Sequence, residues 1–233
     1  MSSKDGYVVE KNVEKFIHDG YTNFLDAALC QKVKSRIKHL KYKEYYPYEK
    51  SERVILYRDR KPKIRFMEII SLEPLKHSEI MGSLYGINVD MDLIGDIVIY
   101  NKHYYIIVTN KVYNFILNEF NMVGNKNISL HEVSNLVLND YVRKYELKEL
   151  VVPSFRIDNV VSKLINVSRD NLKNKFSDGE VIVNYEICYR RSYILREGDI
   201  FSIRRHGKYK FGNVLKNTKK DNYVIRIYRY IDN

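Results

Sequence analysis

Arg156-Ile157-Asp158-Asn159-Val160-Val161-Ser162-Lys163-Leu164-Ile165 opens the segment Phe155–Phe211 and decides how the last third of this 233-residue chain folds. Its apolar residues fall at 157, 160, 161, 164 and 165, a spacing that predicts a helix with one buried face. Val167 and Ser168 then predict the start of a second helix, with the Ser168 hydroxyl capping free backbone N–H groups and Val167 packing onto Leu172. Leu172 and Phe176 form the buried side of that helix, while Arg169 and Lys173 make a basic stripe on another face. Gly179 stands where a left-handed helix stop is wanted. Glu180–Asn184 alternates as a strand, Arg196-Glu197-Gly198-Asp199 reads as a turn, and Ile200–Arg204 as a further strand. Two small helices followed by short strands, with cations on a helix face and in the last strand, predict a compact RNA-binding unit.

Those residues also carry a resemblance. Arg156-Ile157-Asp158, Ser168-Arg169, Gly179-x-Val181-x-Val183-Asn184, Ser192-Tyr193 and Glu197-Gly198-Asp199 resemble, in order, the S4 RNA-binding domain. The sequel Ser202-Ile203-Arg204-Arg205-His206-Gly207-Lys208-Tyr209 looks like the ending found in bacterial YlmH-type proteins, which place this domain at the C-terminus.

Net charge is +11, with 40 Lys and Arg against 29 Asp and Glu. Residues 151–233 hold 17 cations against 9 anions, a balance of +8, whereas the first 150 residues hold 23 against 20. A basic surface so localised is the electrostatic footprint of a polyanionic partner; the competing reading is a solvated lysine-rich face. At 45% hydrophobic residues, with 14 Gly plus Pro, the composition predicts a globular chain. No apolar run reaches the roughly 18–20 residues of a membrane span, and the N-terminus lacks a signal-peptide pattern. Cys30 and Cys188 have no partner spacing for metal or redox chemistry, which points to reduced thiols in a cytoplasm.

Residues 1–50 read as a helical N-terminal region, with Val9, Val13, Phe16 and Ile17 on one face and Leu29, Val33, Ile37 and Leu40 on the next. Residues 51–135 then open with a strand Val54–Tyr57 and continue as β-α-β-β-α-β: Ile64–Ile70, a helix His77–Tyr85, Asp96–Tyr100 and Tyr104–Thr109 joined by a loop Asn101-Lys102-His103, a helix Lys111–Met122, and Ile128–Val133. That order predicts a ferredoxin-like (RRM-like) middle domain. Tyr104 and Tyr105 have two readings, an aromatic core or base stacking on an exposed sheet. Gly82 is assigned to close packing and Gly95 to a turn. Residues 136–152 form a connector, helical over Leu136–Tyr145, and residues 153–233 an S4-like domain with a C-terminal extension that closes on a strand Tyr223–Ile231. The fold class is therefore α+β.

The middle region carries its own resemblance. Phe24-Leu25-Asp26, Tyr48-Glu49-Lys50-Ser51-Glu52-Arg53-Val54, Lys76-His77-x-Glu79-Ile80-Met81-Gly82-x-Leu84 and Ile94-Gly95-Asp96-Ile97 look like YlmH-type stretches, with Ser78 where the family usually carries arginine. So does the Thr218-Lys219-Lys220 run.

A phosphate-binding Gly-rich loop, a paired-cysteine zinc site and a nucleophile elbow are all missing from the sequence. The expectation is a protein that is not an enzyme and needs no cofactor or metal. Candidate RNA contacts are Arg156, Ser168, Arg169, Lys173, Arg204, Arg205 and Lys208, with His77, Lys175, Lys219 and Lys220 as a secondary set. For Arg156 the alternative is an ion pair with Asp158 or Asp199; for His77 it is a hydrogen bond to the backbone. Arg205 occupies a position where the family usually has glycine. The resemblance implies a cytoplasmic monomer that binds rRNA of the large ribosomal subunit and tRNA. There it would work with a nascent-chain quality-control factor on stalled peptidyl-tRNA. An RNA-modifying enzyme and a cell-division-associated scaffold are the alternatives.

Overall fold

The apolar periodicities resolve into a mixed α+β chain with helices at the N-terminus and antiparallel sheets beyond them. The computed structural model describes residues 3–218 and 221–231. They form two compact units, one up to Val142 and one spanning Arg143–Ile231.

The first unit begins with α1 (Ser3–Asp19) and α2 (Ala27–Arg36). Asp26 caps α2 by accepting the Leu29 N–H at 2.8 Å. Val9, Phe16, Val33 and Ile37 are buried between these helices as expected, but Ile17 is exposed. A short hairpin, β1 (Lys43–Tyr45) and β2 (Ile55–Tyr57), follows. Then come β3 (Ile64–Ser71), α3 (His77–Gly86), β4 (Ile94–Tyr100), β5 (His103–Thr109), α4 (Tyr113–Glu119), β6 (Met122–Val123) and β7 (Lys126–Val133). The sheet order is β4-β5-β3-β7-β6, antiparallel throughout. Alternation along β3 and β5 sends Met67, Ile69, Ile106 and Val108 into one core with Ile80, Leu84 and Ile116 of the helices. Phe66, Tyr105 and Ile107 go to the opposite face.

Several boundaries depart from expectation. The loop between β4 and β5 is only Asn101-Lys102, both at positive φ (51° and 66°), so His103 pairs with Tyr100 inside the ladder; a tight two-residue turn of this kind matches the strand twist. Helix α4 is shorter than Lys111–Met122, because Phe120 leaves helical geometry at ψ 77°. Gly82 faces open space, whereas Gly95 is the close-packed glycine: a Cβ there would sit 3.0 Å from the Phe24 ring and 3.2 Å from Ile107. The helix expected over Leu136–Tyr145 is only a 3₁₀ turn, Asn135–Leu138.

In the second unit β8 (Tyr145–Val152) pairs along its whole length with the final strand, so hydrogen bonding over long range overrides local propensity. The unit continues with α5 (Ile157–Ile165), α6 (Lys173–Ser177), β9 (Val181–Val183), β10 (Glu186–Ile187), β11 (Ile200–Ile203), β12 (Gly207–Asn217) and β13 (Tyr223–Tyr230). Its sheet runs β10-β9-β11-β12-β13-β8. The inner face buries Val181, Val183, Phe201, Ile203, Phe211, Ile225 and Ile227 against Val160, Val161, Leu172 and Phe176 of α5 and α6. Gly179 holds φ +69° after α6, as the sequence predicts.

Candidate nucleic-acid interface

At the start of α5, Arg156 is the cap residue and Asp158 lies in the first helical turn, where a carboxylate is favoured by the helix dipole. Arg156 donates from Nε and Nη2 to both oxygens of Asp158, at 3.0 and 2.8 Å. Arg169 Nη2 donates to the same carboxylate at 3.0 Å. The Asp158 side chain is 0% exposed, against 37% for Arg156 and 51% for Arg169. Burial alone would raise the Asp158 pKa, but hydrogen bonds from Arg156 and Arg169 and their charges outweigh it and hold the carboxyl below the usual range. One buried anion thus fixes two partly exposed guanidiniums side by side.

The quoted motifs meet here through the backbone. The Ile157 N–H bonds to Tyr193 O at 2.8 Å and the Leu195 N–H to Phe155 O at 2.9 Å. Asn184, Tyr193 and Asp199 interlock: Asn184 Nδ2 and the Tyr193 hydroxyl both donate to the Asp199 carboxylate, at 2.9 and 3.2 Å. Sequence reasoning missed Arg191, which donates from Nη2 to Arg169 O at 2.8 Å and whose own carbonyl accepts the Asp158 N–H at 3.3 Å. The adjacent Arg190-Arg191 pair, immediately before the quoted Ser192-Tyr193, was the available signal.

The other candidates of the second unit lie on separate elements. Ser168 does not begin a helix; its Oγ accepts the Asn171 N–H at 3.3 Å in a turn, and α6 starts only at Lys173. Lys173 is 65% exposed, 4.0 Å from Asp170. Lys175 donates to Glu180 at 2.8 Å. That bond, opposed by burial and aided by the charges of Lys175, Arg204 and Arg205, holds Glu180 below the usual carboxylate range. Arg204 and Arg205 are exposed in the turn between β11 and β12, with Arg205 at φ +67°, which explains why a glycine fits that position. Lys208 lies on β12, its Nζ 5.0 Å over Tyr185 and 4.8 Å over Tyr230. Lys219 and Lys220 fall outside the described residues.

In the first unit His77 is half-buried in the first turn of α3. The sheet face that an RNA-stacking reading requires is closed. Phe24, Tyr48, Ile55 and Leu138 pack on it over Phe66, Val98, Tyr105 and Ile107. Tyr104 lies on the helix side, where its hydroxyl accepts the Leu75 N–H at 3.0 Å. Two of the quoted stretches bind each other: Asp96 accepts from the Tyr48 hydroxyl, Ser51 Oγ and the Glu52 N–H at 2.9, 2.8 and 2.8 Å. Arg53 Nη1 donates to the carbonyls of Met91 and Ile94, at 2.8 and 2.7 Å. Burial pushes the Asp96 carboxyl up, against those three donors. Among the described residues no helix is long and apolar enough to cross a membrane.

Comparison with known proteins bears on the middle-region stretches Lys76–Leu84 and Ile94–Ile97. Residues 63–136 match the family model described as "Putative RNA-binding domain in YlmH". A curated relative, "Ribosome-associated protein quality control protein P2" of Bacillus subtilis (strain 168), is 29% identical over 153 residues, covering 66% of this chain and 60% of the relative. The match thus spans less than two thirds of that protein's length. A solved structure, "Cell division protein ylmH from Streptococcus pneumoniae", superposes with a TM-score of 0.50 at 19% identity, over 60% of this chain and 97% of that one, a likeness of fold. The chain is thus similar to YlmH-type proteins, and its residues 63–136 match the model of their RNA-binding domain.

Proposed function

We propose that this protein binds structured RNA of the large ribosomal subunit, together with tRNA, and serves the quality control of stalled nascent chains without bond chemistry of its own. The observation that carries this reading is the buried Asp158 carboxylate that fixes Arg156 and Arg169 in place with their guanidiniums partly exposed. Guanidinium forks held in position lose less freedom on meeting a phosphate, and they meet it bidentately. Arg204, Arg205, Lys173 and Lys175 extend the cationic surface. The name of the Bacillus subtilis relative, a ribosome-associated quality-control protein, supports the ribosome as the place of action.

On this reading residues 153–233 are an S4-like domain, and residues 51–135 a ferredoxin-like one whose fourth-first-third-second strand order fits that architecture. The closed face of the first sheet supports assigning the RNA contact to the second unit. There the protein, a cytoplasmic monomer, holds peptidyl-tRNA while a partner factor delivers the next aminoacyl-tRNA. The test is sedimentation of tagged wild type and an Arg169→Glu/Lys173→Glu variant through sucrose gradients of host lysate. Wild type should travel with free large subunits and the variant should stay at the top, since several counterion-releasing contacts fail together. Both staying at the top would overturn the ribosomal reading in favour of a scaffold.

A further inference from the structure

The second sheet has a face that α5 and α6 do not cover. Strand register places Tyr230 opposite Tyr145, Tyr228 opposite Leu147 and Lys210 opposite Tyr228, all on the side away from the buried Ile225 and Ile227. Tyr145 packs edge-on against Tyr230 at 5.1 Å and against Tyr228 at 5.8 Å, and it remains 39% exposed. Between Phe211 and Val214 the register of β12 slips, so Gly212 and Asn213 stand outside the paired ladder. No side chain fits at Gly212: a Cβ would lie 2.7 Å from the Tyr228 ring and 2.8 Å from the Arg226 carbonyl. The result is a cleft of about 330 Å³ lined by Tyr145, Tyr228, Lys210, Gly212, Asn213 and Glu197.

We propose that this cleft takes one unpaired nucleobase of a single-stranded RNA segment, with the adjoining phosphates on Lys210 and Lys208. The proposal rests on the RNA-binding reading and adds a second contact to it, on the sheet face rather than the helix face. The chemistry is that of a base platform. Tyrosine rings supply stacking surface, Asn213 and Glu197 supply polar groups for a base edge, and lysines on the same strand supply charge for the backbone. The volume lies at the low end of the roughly 300–1,000 Å³ usual for ligand pockets, as suits one planar ring system. The bulge and Gly212 explain how an otherwise regular sheet opens there.

The test uses the full chain with two probes, a short single-stranded RNA carrying 2-aminopurine and a hairpin RNA without unpaired stem bases. Stacking should quench the 2-aminopurine fluorescence on binding. Tyr228→Ala should abolish the quenching and weaken single-strand binding about 5- to 100-fold, leaving hairpin binding unchanged, while Tyr228→Phe keeps both. Tyr145→Ala, at an exposed position, should act in the same direction, and it decides the matter if Tyr228→Ala fails to fold. Hairpin binding without quenching, or quenching unaffected by Tyr145→Ala, would overturn this inference and leave the RNA-binding reading standing. Binding of neither RNA would remove both.

Discussion

Asp158→Asn is the most informative single change in the second unit, because it keeps the shape and removes the charge on which two arginines converge. The wild-type carboxylate accepts three guanidinium bonds, at 3.0, 2.8 and 3.0 Å. A charge-assisted bond is worth roughly 1 kcal/mol more than a neutral one, but the donors are partly exposed and solvent screens them, so the expected loss is about 1–2 kcal/mol. For a unit of this size that corresponds to a fall of about 4–12 °C in its calorimetric transition at neutral pH. The acid limb gives an independent check. The folded Asp158 pKa lies below its unfolded value, so its contribution is fully present above the unfolded pKa, about 3.9, and is lost as pH falls through the folded one. The gap between wild type and Asp158→Asn should therefore close on acidification. An unchanged transition at neutral pH, or a gap that persists in acid, would refute Asp158 as the electrostatic anchor of the arginine pair.

The glycine assignments separate cleanly: Gly95→Val should destabilise by about 1–3 kcal/mol through overpacking against Phe24 and Ile107, whereas Gly82→Ala, in open space within a helix, should stabilise by up to about 1 kcal/mol, both read from urea midpoints. Phe24→Ala should cost about 3–5 kcal/mol by the same measurement, since the ring is 1% exposed; a negligible cost would mean the N-terminal region does not seal the first sheet. Asp96, with its pKa raised by burial, contributes stability present below its unfolded pKa and lost as pH rises through the folded one. Asp96→Asn should accordingly flatten the pH dependence of unfolding from about pH 4 upward. For RNA binding, Arg169→Ala should reduce the slope of log affinity against log salt by about 0.9 on duplex RNA, measured by titration at several salt concentrations; an unchanged slope would take Arg169 out of the interface.

Much of this was legible in the sequence because it rests on local chemistry. The period of residues 157–165 required a helix buried on one side, and α5 occupies those residues. Alternation at Ile64–Ile70 required a strand, and the left-handed stop at Gly179 followed from its place after Phe176. The concentration of cations after residue 150 pointed to a polyanionic partner, and the resemblance carried by the ordered motifs implied that it is RNA. What sequence could not supply was every property set by partners distant in the chain. Tyr145–Val152 became a strand because β13, more than seventy residues later, offers it a full ladder. Which glycine packs tightly depended on Phe24 arriving over Gly95. The sealing of the first sheet depended on residues 24–55 and 138 folding back onto it. Arg156 and Arg169, thirteen positions apart, share a carboxylate only because the turn after α5 returns the chain to its start, and Arg191 joins them from another loop. Local periodicity reports which side of an element is apolar; only the closed tertiary structure decides what that side meets and which charges are left facing out.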